Sequence, residues 1–204
     1  IVGWCEGRSE WGASALGHRS ILADPRSTAT RDRLDRTVKL RDSYRPFAPA
    51  VLAERADELF DLTGIVESSR MTFCVPVRPA HRATLAAVTH VDGTARIQTV
   101  SREDAPSLHA LIRSFDAITG VPVVLNTSLN VNEEPIIETP EDAIHFFLST
   151  GLDMLVVDGV LFDKLPAVAP EIARRSGRAR LGRAPTVRPI ARAPAREDAP
   201  ERSD

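Results

Sequence analysis

The chain has 204 residues, 43% of them hydrophobic and only 5% aromatic, so it can bury one sizeable core of Val, Leu, Ile and Ala, is short for two full domains, and offers no aromatic platform for single-stranded nucleic acid. The formal charge of -2 hides an asymmetry: from residue 165 onward nine Arg and no Lys face five acidic residues, which leaves an acidic body and argues against a nucleic-acid surface on the fold. Two cysteines without CxxC spacing, no apolar run of spanning length and no secretory segment point to a reducing cytoplasm and exclude a disulfide scaffold.

Ile1, Val2, Gly3 and Trp4 read like the middle of a strand and no initiator Met precedes them, so an amino-terminal part of a longer protein is expected upstream. A glycine-punctuated run follows, Glu6-Gly7-Arg8 through Gly12, Leu16-Gly17-His18-Arg19-Ser20 and Asp24-Pro25-Arg26. Backbone there can approach an anion closely, with Arg19 and Ser20 as donors; read alone, it is equally a tightly turned loop. Next come Lys39-Leu40-Arg41 and Arg45-Pro46-Phe47. In an extended stretch positions 39 and 41 point the same way, so an ammonium and a guanidinium would converge on one site with Arg45 beside them, the bland alternative being a solvated charged strand. Of 26 cationic residues only Lys39 and Lys164 are lysines, which marks Lys39 as a place for a compact ammonium.

Thr72 to Val77 is an expected strand, and Leu85 to Val91, the Asp92-Gly93 turn and Arg96 to Val100 read as a β-hairpin. His90 and Thr94 flank that turn, and with no second His or carboxylate cluster at ligand spacing no metal site is expected. Ser101 and Asp104 form a capping-box pattern ahead of a helix with Leu108, Leu111, Ile112, Phe115 and Ile118 on one face and Gly120 as its stop. Val121 to Leu125 is a short buried strand leading into Asn126, Thr127, Ser128, Leu129 and Asn130, polar groups at a carboxyl strand end of the kind that binds ligands in open α/β sheets, or simply a polar loop. Thr139, Pro140 and Asp142 give the cap and first turn of a second helix with Ile144, Phe147 and Leu148 inward. Met154 to Val157, Asp158-Gly159 and Val160 to Phe162 make a last hairpin. Strands and helices interleave without strict alternation, so the expected fold is mixed α/β (α+β), a twisted mixed sheet with packed helices. Past Lys164 the composition turns to Ala, Pro and Arg with no apolar periodicity; the domain is placed at 1-164 and a disordered tail at 165-204.

Taken together, the stretches "CEGRSEWGASALGHRSILADPR", "KLRDSYRPFAPAVL", "VTHVDGTARIQTVSRED", "GVPVVLNTSLNVNEEPI" and "TPEDAIHFFLSTGLDMLVV" resemble the carbamoyltransferase C-terminal family, the YrdC-like back half of the nodulation-factor, cephamycin, novobiocin and tobramycin carbamoyltransferases. The resemblance covers nearly everything from Val2 to Val157. It implies a concave, cationic cleft, with Lys39 and Arg41 matching a Lys-x-Arg signature and Ser128 and Asn130 a Ser-x-Asn signature. By that likeness Lys39 and Arg45 would hold carbamoyl phosphate, Arg96 and Ser128 would complete the phosphate site, and His90, Thr94, Asn126 and Asn130 would line it. The implied activity is formation of carbamoyl-adenylate from carbamoyl phosphate and ATP, with Mg²⁺ arriving on ATP. An actin-like transferase domain absent from this chain, iron-containing in some members, would then carry out O-carbamoyl transfer to a hydroxyl. Two departures accompany the likeness: Ala13-Ser14 stand where the family usually has Pro-Arg, and Asn132-Glu133 where it has Arg-Gly. They motivate the alternative of a non-catalytic ligand-binding or interaction remnant. Binding of nucleic acid by the Arg-rich tail is a weaker third reading.

Overall fold

The computed structural model describes residues 1-164 and, as backbone, the strand Val187–Arg192. Ten strands fall in it: β1 Val2–Cys5, β2 Arg19–Ala23, β3 Ala48–Leu52, β4 Cys74–Pro76, β5 Thr94–Arg96, β6 Gln98–Val100, β7 Val123–Ser128, β8 Met154–Val157, β9 Val160–Lys164 and β10 Val187–Arg192. The helices are α1 Thr28–Leu34, α2 Ala56–Leu59, α3 Pro106–Thr119 and α4 Pro140–Ser149. Eight strands form one mixed sheet in the order β10-β9-β8-β1-β2-β7-β3-β6, with β1/β8 and β3/β6 parallel and the other neighbours antiparallel. This is the mixed α/β sheet with packed helices expected from the sequence.

The sheet is covered on both faces, which is why its central strands carry unbroken apolar runs, Ile21 to Ala23, Ala48 to Leu52 and Val123 to Leu125, rather than alternating. Ile21, Val51, Val123, Leu125 and Leu155 pack with Leu34, Val38, Phe60 and Phe147 in the larger core, while Leu22, Ala50, Leu52 and Val124 meet Leu108 and Ile112 of α3 in the smaller one. Helix α4 starts at a complete capping box between Thr139 and Asp142 with Pro140 following, as its sequence dictates. Its buried residues are Ala143, Phe146 and Phe147, with Ile144 and Leu148 only partly covered. Helix α3 ends at Gly120 in the left-handed conformation. The Ser101–Asp104 pair closes a turn just ahead of α3 rather than capping it, and Ile118 faces solvent.

Three local readings differ from the structure. Leu85 to Val91 is not a strand: the amides of Leu85 and Thr89 bond back four residues in helix-like turns, and β5 pairs instead with β4. The alternation there serves to bury Leu85, Ala87 and Val88 from a turn. The last strand before α4 runs on through Asn126, Thr127 and Ser128, because β2 and β3 pair with it on its two sides. Most consequential, Lys39 to Arg41 is not extended. Helix α1 passes into a π turn, Asp35–Lys39, and Leu40 then takes a left-handed conformation at φ 49°. This turn is seated on Gly151, whose amide donates to the Thr37 carbonyl at 2.9 Å; a side chain at 151 would meet the Thr37 Cβ at 2.5 Å. Within the stretch expected to be a tail, β10 pairs with β9; the remainder of 165-204 lies outside the described residues.

Candidate functional site

The carboxyl end of β7 opens into a pocket of about 340 Å³ whose walls include Arg41, Arg45, His90, Arg96, Asn126 and Ser128, together with Ser14, Tyr44, Phe47 and Met71. Asn126 and Ser128 are two residues apart on one strand and so share a face, which aims both at the same space. Among the described residues its walls hold no carboxylate. A larger, more open space of about 580 Å³ adjoins it, sharing Arg41, Tyr44 and Arg45 and adding Asp35, Asn132 and Glu133.

Lys39 lies behind the pocket wall, only 3% exposed. Its Nζ donates into a cage of oxygens: the carbonyls of Ser128 at 2.5 Å and Asn130 at 3.0 Å, Asn130 Oδ1 at 2.7 Å and Ser128 Oγ at 3.2 Å. Burial, reinforced by Arg41 and Arg45 and opposed by Asp35, pulls its pKa down to about 7. The Ser128 hydroxyl donates to Asn130 Oδ1 at 2.7 Å, and Asn130 Nδ2 donates to the Glu134 carbonyl, so the Ser-x-Asn pair braces the turn that follows β7.

Arg41 reaches the pocket by stacking on Phe47, 4.4 Å from ring centre, while Nε donates to Asp35 Oδ1 at 3.0 Å. Asp35 is buried, its second carboxylate oxygen has no partner among the described residues, and burial raises its pKa against the pull of Arg41. Arg45 is exposed and donates to Asn132 Oδ1 at 2.9 Å. Arg96 is exposed and donates to Ser14 Oγ at 3.1 Å. His90 Nδ1 sits 3.0 Å from Thr94 Oγ1, and the Thr94 hydroxyl donates to Asp92 at 2.7 Å. That leaves the threonine oxygen as an acceptor, so the imidazole places its proton on Nδ1 and keeps Nε2 as an acceptor. Burial pushes His90 below its usual range, which favours this neutral form. Asn126, 1% exposed, donates to the Ala15 carbonyl and to Gln98 Oε1, and its own Oδ1 has no partner among the described residues.

The structure therefore gathers Arg41, Arg45, His90, Arg96, Asn126 and Ser128 around one pocket, with Lys39, Asn130 and Thr94 directly behind it. Arg19 and Ser20 are placed elsewhere. The Arg19 guanidinium is buried among the carbonyls of Glu6, Gly7, His18 and Glu138, all within 3.0 Å, and Ser20 accepts from the Gly17 amide. Arg19 thus fastens the glycine-rich loop, which Glu10 also holds through the amides of Leu16, His18 and Arg19. Sequence reading passed over Asp35, Tyr44, Gln98 and Glu10; only Asp35, six residues before Arg41 with opposite charge, left a local signal.

Residues 1-164 match the family described as Carbamoyltransferase C-terminus. The chain belongs to that family. It is 52% identical over 172 residues to "Nodulation protein NolNO" of Sinorhizobium fredii, covering 84% of this chain and 25% of that protein. "Nodulation protein NolO" of Bradyrhizobium diazoefficiens is 52% identical over 168 residues, 82% of this chain and 31% of the relative. A "3'-hydroxymethylcephem-O-carbamoyltransferase" of Amycolatopsis lactamdurans is 40% identical over 164 residues, 80% and 31% respectively. The chain thus spans between a quarter and a third of the length of these relatives. Among the described residues of this carbamoyltransferase C-terminus no helix is long and apolar enough to cross a membrane, and no group of three or more His, Cys, Asp or Glu is placed to hold a metal ion.

Proposed function

We propose that this domain makes carbamoyl-adenylate from carbamoyl phosphate and ATP, in the cytoplasm, for O-carbamoyl transfer by an actin-like domain that is upstream or on a partner chain. One observation carries the reading: three guanidinium groups, Arg41, Arg45 and Arg96, line one pocket with the side chains of Ser128 and Asn126, and among the described residues its walls hold no carboxylate. The guanidinium and hydroxyl donors of such a lining suit phosphoryl oxygens, and Asn126, whose amide protons are already donated, offers its Oδ1 to a donor such as the carbamoyl amide.

In the proposed first step water cleaves carbamoyl phosphate to carbamate and inorganic phosphate. In the second, a carbamate oxygen attacks the α-phosphorus of ATP and pyrophosphate leaves. Both steps ask for charge neutralisation and alignment of polyanions rather than a covalent nucleophile. Arg45 and Arg96, the exposed cations at the rim, would exchange Asn132 and Ser14 for phosphoryl oxygens. A ligand oxygen would likewise compete with Asn130 for the Ser128 proton. Neutral His90 would accept through Nε2 from the attacking water or the carbamoyl amide. Mg²⁺ would accompany ATP, and since the pocket walls offer only neutral oxygens its remaining ligands would be phosphate and water.

Ser14 at Arg96 favours a second reading, ligand binding without turnover, because the family's usual Arg is missing there. Calorimetry with carbamoyl phosphate and with ATP tests the site common to both. Arg96→Ala and Arg45→Ala are each expected to weaken binding by roughly 1.5–3 kcal/mol, the scale of a hydrogen bond to a charged group. No heat and no thermal shift with either ligand at millimolar concentration would rule the site out.

A further inference from the structure

Lys39 cannot keep its partners and also touch an anion in the pocket. An ammonium has three protons, and four protein oxygens already stand within 3.2 Å of this one. The pocket wall contains Ser128 but not Lys39, so the serine stands between the ammonium and the space a ligand would fill. Lys39 holds the far end of the segment as well: its backbone carbonyl accepts from the Asn132 amide at 3.1 Å, and Asn132 Oδ1 in turn accepts from Arg45. Segment 128-132 is thus pinned at one end by the Lys39 side chain and at the other by its backbone. That is possible because the π turn and left-handed Leu40 swing the side chain inward while Arg41 continues outward.

We propose that Lys39 is a positioning residue, which acts on a bound phosphoryl group through Ser128 and through the Asn132–Arg45 contact without touching the group itself. The proposal rests on the reading of the pocket as a phosphoryl site, but its geometry can be tested with no ligand present. The charges facing the ammonium are Arg41, Arg45 and Asp35; β7 and the turn after it present only neutral oxygens.

Two measurements decide the matter. The chain has only two lysines, so amine labelling of the wild type followed by mass spectrometry can compare Lys39 with Lys164 directly. Lys39 is expected to react at least about tenfold more slowly, as a group released only by local opening, and carbamoyl phosphate should leave its rate unchanged. Rapid labelling of Lys39 that carbamoyl phosphate suppresses would overturn the proposal. Second, in Lys39→Ala without ligand, hydrogen exchange at the Asn132 amide and at the Ile137 amide, which donates to the Leu129 carbonyl of the same segment at 3.0 Å, should accelerate about tenfold or more and recover with added propylammonium, which refills the truncated stem. Wild-type protection at these amides alongside a collapse in carbamoyl phosphate affinity would mean that Lys39 contacts the ligand itself. Should the variant not fold, wild-type labelling still decides. Failure of carbamoyl phosphate to bind the wild type would sink the pocket reading, whereas normal exchange in ligand-free Lys39→Ala would sink the positioning role.

Discussion

Arg96 donates to Ser14 Oγ across 3.1 Å, both of them in the pocket wall though 82 residues apart in sequence. Position 14 is where the resembling family usually carries Arg, so this chain holds a hydroxyl where a second guanidinium would face the ligand. Ser14→Arg is expected to tighten ATP binding by about tenfold, near the low end of what a charge-assisted hydrogen bond contributes. Ser14→Ala, which only releases Arg96, should change it little. Titration calorimetry at one fixed salt concentration checks both, and equal affinity in all three proteins would remove position 14 from the site.

Glu133 holds φ at 66°, in the left-handed region, at the position where the family has Gly. An L side chain there costs roughly 1–2 kcal/mol, so Glu133→Gly should raise stability by about 1 kcal/mol once the greater freedom of glycine in the unfolded chain is allowed for. The expected signature is a higher urea midpoint at unchanged slope. A lower midpoint would show that the Glu133 side chain contributes more than the strain removes.

Arg41 and Asp35 form a mostly buried pair in which the carboxylate already has one oxygen without a partner. Arg41→Ala strands a buried charge and should cost about 3 kcal/mol, whereas Arg41→Ala with Asp35→Asn should recover much of that loss. Additive effects in the double-mutant cycle would mean that the pair is not coupled.

The burial of Lys39 has a pH signature. Its folded pKa, about 7, lies below the unfolded value of 10.5. Between these values the unfolded chain keeps a proton that the folded chain has released, so stability rises with pH through the window; below pH 7 both states are protonated and the contribution is flat. The slope from this group is at most about 1.4 kcal/mol per pH unit. Lys164 titrates in the same direction, so the comparison is the wild type against Lys39→Met across pH 7 to 10. The variant should lose part of the rise. An identical profile would place the Lys39 titration outside that range.

The elements read correctly from sequence are those whose causes are local. The Thr139–Asp142 box, Gly120 beyond α3 and the Asp158-Gly159 turn each depend on a few adjacent residues. Against what its sequence suggests, the stretch 39-41 is not extended, because its geometry is imposed from far away, by Gly151 under the π turn and by oxygens 89 and 91 residues ahead of Lys39. Likewise the polar end of β7 looks like a loop until β2 and β3 pair with it. Most pocket residues were legible from motifs. Their partners are legible only in part: position 14 beside Arg96 is marked by the family likeness, whereas Gln98 behind Asn126 is set by a contact across the sheet that no spacing announces.

Whether both substrates react in this pocket can be measured directly. The 204-residue chain is incubated with Mg²⁺, ATP and carbamoyl phosphate, and pyrophosphate and carbamoyl-adenylate are followed by enzymatic assay and mass spectrometry. Pyrophosphate and the adenylate should appear only when both substrates are present, and should be strongly reduced in Arg96→Ala and Arg45→Ala. Pyrophosphate release indifferent to carbamoyl phosphate, or none at all with both substrates bound, would contradict the assignment.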